Sequence, residues 1–182
     1  MFGVTELPHR LRRGTMEFVL TYPLHPLLGL ALSGVSAIRL AQIPLTFMVL
    51  AILVPFLGIS LTVWKVSAYL GLVVCSSILL SGLYALLIVP CLLEPLAQHW
   101  KQLWFATEQW GAYPRSIWNE PHGDWIGWVV PVILAANVPV EVLLGIASIK
   151  TLVWLGILVV FVWVLTLYLW SIGLRRMKYL NC

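Results

Sequence analysis

TLVWLGILVVFVWVLTLYLWSIGL, residues Thr151–Leu174, contains no charged side chain and runs directly into Arg175-Arg176. A helix needs about 20 apolar residues to cross a hydrocarbon layer of about 30 Å, and this run is longer than that. It reads as a membrane span ending on a basic edge. Working back towards the amino end, Ile43–Val63 is equally free of charge. Val66–Leu93 is too, and is long enough to need a tilt or a bend near Pro90. Ile126–Ala147 is the fourth apolar run, but Pro131 and Pro139 interrupt it and Asn137 and Glu141 lie within it, which suits a partly re-entrant span.

The whole chain has the same character. Of its 182 residues 61% are hydrophobic and 10% charged, against about 45–50% apolar in a soluble domain. The expected fold is an all-α integral membrane protein of about four transmembrane helices, near 43–63, 66–93, 126–147 and 151–174, forming one domain over residues 1–182.

Eleven Lys and Arg stand against seven Asp and Glu. In the four-span arrangement Arg10, Arg12, Arg13, Arg39, Lys101, Arg115, Arg175, Arg176 and Lys178 share one side, and Lys65 and Lys150 the other. The positive-inside bias then puts both termini of this multi-pass chain in the cytoplasm, with the spans in the cell membrane. The basic excess marks that rim, and no nucleic-acid motif accompanies it.

Between the second and third runs, EPLAQHWKQLWFATEQWGAYPRSIWNEPHGDW, residues 94–125, is too polar to cross. Leu96, Trp100, Leu103, Trp104 and Thr107 recur at helical spacing, so its first half suits an amphipathic helix lying in the interface. Trp110, Trp118, Trp125 and Trp128 extend an aromatic belt. Stacking on bases or sugars is the competing use of so many tryptophans.

No catalytic equipment is legible. The chain has no phosphate-binding glycine loop, no H-E-x-x-H, no G-x-S-x-G and no C-x-x-C. His9, His25, His99 and His122 are too scattered for a metal site. Cys75, Cys91 and Cys182 are odd in number, and two of them lie in apolar runs as small hydrophobes. No cofactor or metal is expected, and no enzymatic activity of the chain's own.

The polar groups within the spans are therefore the residues to follow. A carboxylate at mid-span costs about 2.5–3.5 kcal/mol, so Glu141 either snorkels to the outer interface, pairs with Lys150, or lines a polar route. Asn137 with Pro139 either frees backbone carbonyls towards that route or makes a bend. Ser67, Gly71 and Cys75 recur every four residues and read as a packing seam, within one protomer or between two.

Ahead of all the spans stands HRLRRGTMEFVLTYPLHPLL, His9–Leu28. Thr15 can cap a short helix with Glu17 in its first turn, Met16, Val19 and Leu20 forming its apolar side and Pro23 stopping it. Such a piece can dock in a partner's groove. A basic anchor explains the arginines equally well, but not the apolar side.

Arg12-Arg13-Gly14-Thr15-Met16-Glu17-Phe18-Val19-Leu20 is followed by Pro23-Leu24 and Pro26-Leu27-Leu28. Ala112-Tyr113-Pro114 with Ile117 comes next, then Val130-Pro131-Val132 with Asn137-Val138-Pro139, then Trp170 with Gly173-Leu174-Arg175-Arg176. In this order these motifs resemble the bacterial permease family of type-2 ABC exporters. The resemblance implies a membrane subunit that dimerises with a second permease copy or related chain. It implies recruitment of a cytoplasmic ABC ATPase and export of an amphiphilic or hydrophobic compound. It also makes residues 1–39 the cytoplasmic coupling segment, with Arg12, Arg13, Thr15, Met16, Glu17, Val19 and Leu20 meeting the ATPase. Family members commonly carry Arg-Pro where this chain has Tyr22-Pro23, and two further spans ahead of the coupling element. The chain thus corresponds to the C-terminal two-thirds of the pattern, and the alternative reading is a truncated or non-transporting membrane scaffold or assembly protein.

Overall fold

A computed structural model describes residues 37–59, 62–89, 106–119 and 125–180. Among these the regular structure is entirely helical: α1 (Ala37–Phe56), α2 (Val63–Ile88), a 3-10 helix (Arg115–Asn119), α3 (Trp125–Val129), α4 (Pro131–Leu144) and α5 (Ile149–Leu180). A further helical turn covers residues 106–110. The protein is an all-α membrane protein, and α2 and α5 are each long and apolar enough to cross a bilayer.

Local chemistry sets each boundary. The first run was expected to continue to Val63, but α1 stops at Phe56. There Gly58 takes a left-handed φ of 69°, and the amides of Gly58 and Ile59 donate to Pro55 O and Val54 O at 2.9 and 3.3 Å. This is the paired closure of a Schellman turn, which a residue without Cβ forms most cheaply. Gly145, φ 76°, repeats it at the end of α4, with Ile146 N–H donating to Glu141 O at 3.0 Å. The second run, expected at 66–93, forms helix over Val63–Ile88. Val89, the next residue, keeps helical dihedrals, φ −50° and ψ −40°, and its N–H donates to Ala85 O.

The expected third span, 126–147, is two helices. Val130 is extended, with φ −86° and ψ 104°, and Pro131 begins α4 at its first turn. Proline drives its predecessor out of the helical region and is itself at home in a helix's first turn. The 14 residues of α4 reach about 21 Å at 1.5 Å per residue, less than the hydrocarbon thickness.

Helix directions follow from long-range contacts. Trp163 Nε1–H donates to Ile78 O at 3.0 Å, and Thr166 Oγ1 reaches Gly82 O at 3.1 Å. Residue numbers rise together, so α2 and α5 run parallel. A side chain on Gly145 would start 3.8 Å from Lys65 Nζ, which puts the end of α4 beside the start of α2. Hence α4 runs antiparallel to both. The shared core is Leu79, Leu134, Ala135, Val138, Leu155 and Val162. Exposed apolar side chains such as Val160, Phe161 and Val164 cover the rest of α5, a surface suited to lipid.

Among the described residues, no helix packs on the stripe of Ser67, Gly71 and Cys75 at Gly71. Among the described residues a Cβ on Gly71 would meet nothing within 4 Å, whereas one on Gly82 would lie 2.9 Å from Val162 Cγ1 and 3.1 Å from Trp163 Nε1. The close approach of α2 to α5 is therefore at Gly82.

Candidate functional site

The polar residues singled out in the sequence converge with a loop from another part of the chain. Residues 106–115 lie along α4. Gly111 permits this, because a Cβ there would stand 3.1 Å from Val132 Cγ1 and 3.3 Å from both Ala136 Cβ and Val132 O. The turn that follows is held by Gly111 N–H to Glu108 O and Ala112 N–H to Gln109 O, both 3.1 Å.

Asn137 grips this turn. Its Oδ1 accepts from Arg115 N–H at 3.1 Å, while Nδ2 lies within hydrogen-bond distance of Tyr113 O at 3.2 Å and Ile133 O at 2.9 Å. The Tyr113-Pro114-Arg115 backbone thus borrows the polar groups of one amide side chain, as irregular backbone at membrane depth requires. One turn further along α4, Glu141 Oε1 accepts an ion pair from Arg115 Nε at 3.2 Å, with side chains 20% and 12% exposed. The other side of the guanidinium faces Trp128, with Cζ 5.4 Å from the ring centroid. Trp128 is tied in turn to α5, its carbonyl accepting Trp154 Nε1–H at 2.9 Å.

Arg115 is thereby held by a carboxylate, an aromatic face and, through its backbone, an amide. Two of these three partners, Asn137 and Glu141, are residues the sequence singled out; Pro139 between them is buried. Proline has no N–H, so Ala135 C=O loses its usual intrahelical donor. Of the readings open to Glu141, pairing with Lys150 is not the one observed. Gly145 turns the chain before Lys150, which is exposed at the start of α5, while Glu141 is buried. A buried charge needs an immediate counter-charge, and Arg115 supplies it. Sequence distance concealed the partner.

The ion pair is incomplete. Arg115 Nη1 and Glu141 Oε2 are buried with no hydrogen-bond partner among the described residues. A fork-to-fork arrangement would use both. Each buried orphan costs about 1–3 kcal/mol, so the clamp is specific in geometry but not maximally stable.

The pairing also moves Arg115 in the charge count. Glu141 lies about 6 Å along the helix from Gly145, at 1.5 Å per residue, and Gly145 adjoins Lys65. Arg115 therefore belongs to the Lys65 end of the bundle, neutralised by Glu141, and not to the basic side where the sequence count put it. The proposed coupling residues Arg12, Arg13, Thr15, Met16, Glu17, Val19 and Leu20 lie outside the described residues. So do residues 94–105, most of the helical first half of the expected interfacial segment 94–125. Among the described residues no group of His, Cys, Asp and Glu is placed to hold a metal ion.

No curated protein and no solved structure matches the chain. The profile of the family described as ABC-2 family transporter protein matches residues 2–179. That match takes in every helix from α1 to α4 and nearly all of α5, together with the 106–119 loop and its clamp. The chain belongs to the ABC-2 transporter family and is a membrane permease component of an ABC transporter.

Proposed function

We propose that this permease exports an amphiphilic or hydrophobic compound, driven by a separate cytoplasmic ABC ATPase that engages the segment around Arg12, Arg13, Thr15, Met16, Glu17, Val19 and Leu20. The observation carrying this reading is the family match over residues 2–179, which includes that segment. A second permease copy, or a related chain, completes the transporter. The Lys65 end of the bundle faces away from the cytoplasm, and both termini face the ATPase, in keeping with the basic residues near each terminus.

Within this scheme Asn137, Pro139 and Glu141 act as positioning residues. The Asn137 and Glu141 side chains are already engaged by residues 113–115, so they shape the wall of the route and leave contact with cargo to apolar surface. A clamp with two unpaired buried atoms is suited to opening when the bundle rearranges.

The coupling is tested by replacing Val19 and Leu20 with Asp. Charges on the apolar side of the docking helix should abolish co-purification of the ATPase, while insertion persists because the downstream spans keep their apolar length. A double-Asp variant that kept its ATPase and its substrate-stimulated hydrolysis would sink this role for the segment.

A further inference from the structure

Beside the start of α2 lies a cavity of about 430 Å³, walled by Trp64, Lys65, Gly71 and Cys75 of α2, Val142 of α4 and Leu152 of α5. Its volume falls in the ~300–1,000 Å³ range of small-molecule sites. Among the described residues the lining is apolar except at Lys65, the one charged residue there. Among the described residues nothing packs on this stretch of α2: a Cβ on Gly71 would meet no atom of theirs within 4 Å. Lys65 Nζ stands beside Gly145 and has no carboxylate partner among the described residues. The carboxylate one turn before Gly145, Glu141, is committed to Arg115.

We propose that this groove binds an anionic phospholipid of the adjoining leaflet, an acyl chain lying over Gly71 towards Cys75 and the headgroup phosphate meeting Lys65 Nζ. The charge decides the occupant. An apolar helix of a second copy laid in the groove would bury the Lys65 ammonium without a counter-ion, which is costly at membrane depth. An anionic phospholipid supplies an apolar chain for the floor and an anion for the mouth, the combination that basic pockets between transmembrane helices select. Snorkelling of Lys65 to the interface accounts for the ammonium but not for the open floor beneath it. This inference does not depend on what the permease exports.

Native mass spectrometry of the full chain in mild detergent, titrated with phosphatidylglycerol or phosphatidylcholine of identical acyl chains, tests the site. Wild type should take up phosphatidylglycerol about fivefold more tightly, the effect of one basic side chain on an anionic headgroup. Lys65→Gln should remove that preference while leaving phosphatidylcholine uptake unchanged, and Lys65→Arg should keep it. Gly71→Leu fills open space, so the fold should survive it, and uptake of both lipids should fall. A Lys65→Gln chain that still preferred phosphatidylglycerol, or a Gly71→Leu chain that bound both lipids as wild type does, would overturn the proposal. So would an efficient Cys75–Cys75 cross-link in oxidised membranes from a chain with Cys91→Ser and Cys182→Ser, since it would give the groove to a second copy.

Discussion

Two glycines on α2 face opposite circumstances. At Gly82 the helix meets α5 so closely that a Cβ would stand 2.9 Å from Val162 Cγ1, while at Gly71 a Cβ would find nothing within 4 Å among the described residues. The positions are about 16 Å apart along the axis, at 1.5 Å per residue. Around Gly82 the contact is close, reinforced by Trp163 to Ile78 O and by the buried Thr166 hydroxyl, within 2.7 Å of Val162 O and 3.1 Å of Gly82 O. Towards Lys65 the helices leave a groove, and order there depends on the polar clamp of Arg115, Asn137, Glu141 and Trp128. One end of the bundle is closed by shape, the other by charge. Shape fails when atoms are added and charge fails when a partner is removed, so the ends should respond to different substitutions.

The largest effect is expected at the clamp. Glu141→Gln leaves the partly buried Arg115 without its counter-charge; breaking a fully buried pair in this way costs about 3–5 kcal/mol, and the lower end of that range is expected here. Thermal unfolding of the purified chain in detergent should show a marked fall, with export reduced. The double variant Arg115→Met with Glu141→Leu should recover most of that stability, because an apolar pair of similar volume avoids the desolvation penalty. If the double variant were as unstable as the single one, charge pairing would not be what holds the loop to α4.

Gly82→Ala comes next, at about 1–3 kcal/mol of destabilisation, because the stiff β-branched Val162 cannot move aside easily. Gly71→Ala is its control and should change sign. In open helical surface, alanine is favoured over glycine by about 0.5–1 kcal/mol. Equal losses at the two glycines in an unfolding titration would erase the contrast between the ends.

Trp163→Phe should have the smallest effect. It removes the hydrogen bond to Ile78 O while keeping an aromatic body against Gly82, and hydrogen bonds between membrane helices average about 0.6 kcal/mol. A loss several times larger would mean that the close end depends on polar contacts as much as the Lys65 end does.

Some of this was legible in one dimension. The break at Val130 follows from Pro131, which acts on its neighbour's backbone, whereas the Gly58 and Gly145 turns cut the apolar runs shorter than composition suggested. Asn137 and Glu141 stood out because polar groups in an apolar run need partners. Which partners they take was not legible. Lys150 is closer in sequence than Arg115, but Gly145 reverses the chain before Lys150 can return to Glu141. The stripe of small residues left its partner open for a related reason: spacing shows that a helix face is smooth, not what lies on it.

Residence in the membrane, helical class and permease family were determined by the sequence itself. Transfer to lipid sums over individual residues, and the family match depends on the order of residue types along residues 2–179. Tertiary structure alone decided that α2 and α5 run parallel with α4 reversed beside them, that Gly82 and not Gly71 is the point of contact, and that Arg115 neutralises Glu141 at the Lys65 end. Each of these is a pairing between distant segments. It is selected by the simultaneous fit of side-chain volumes and buried charges, quantities that belong to no single stretch of chain.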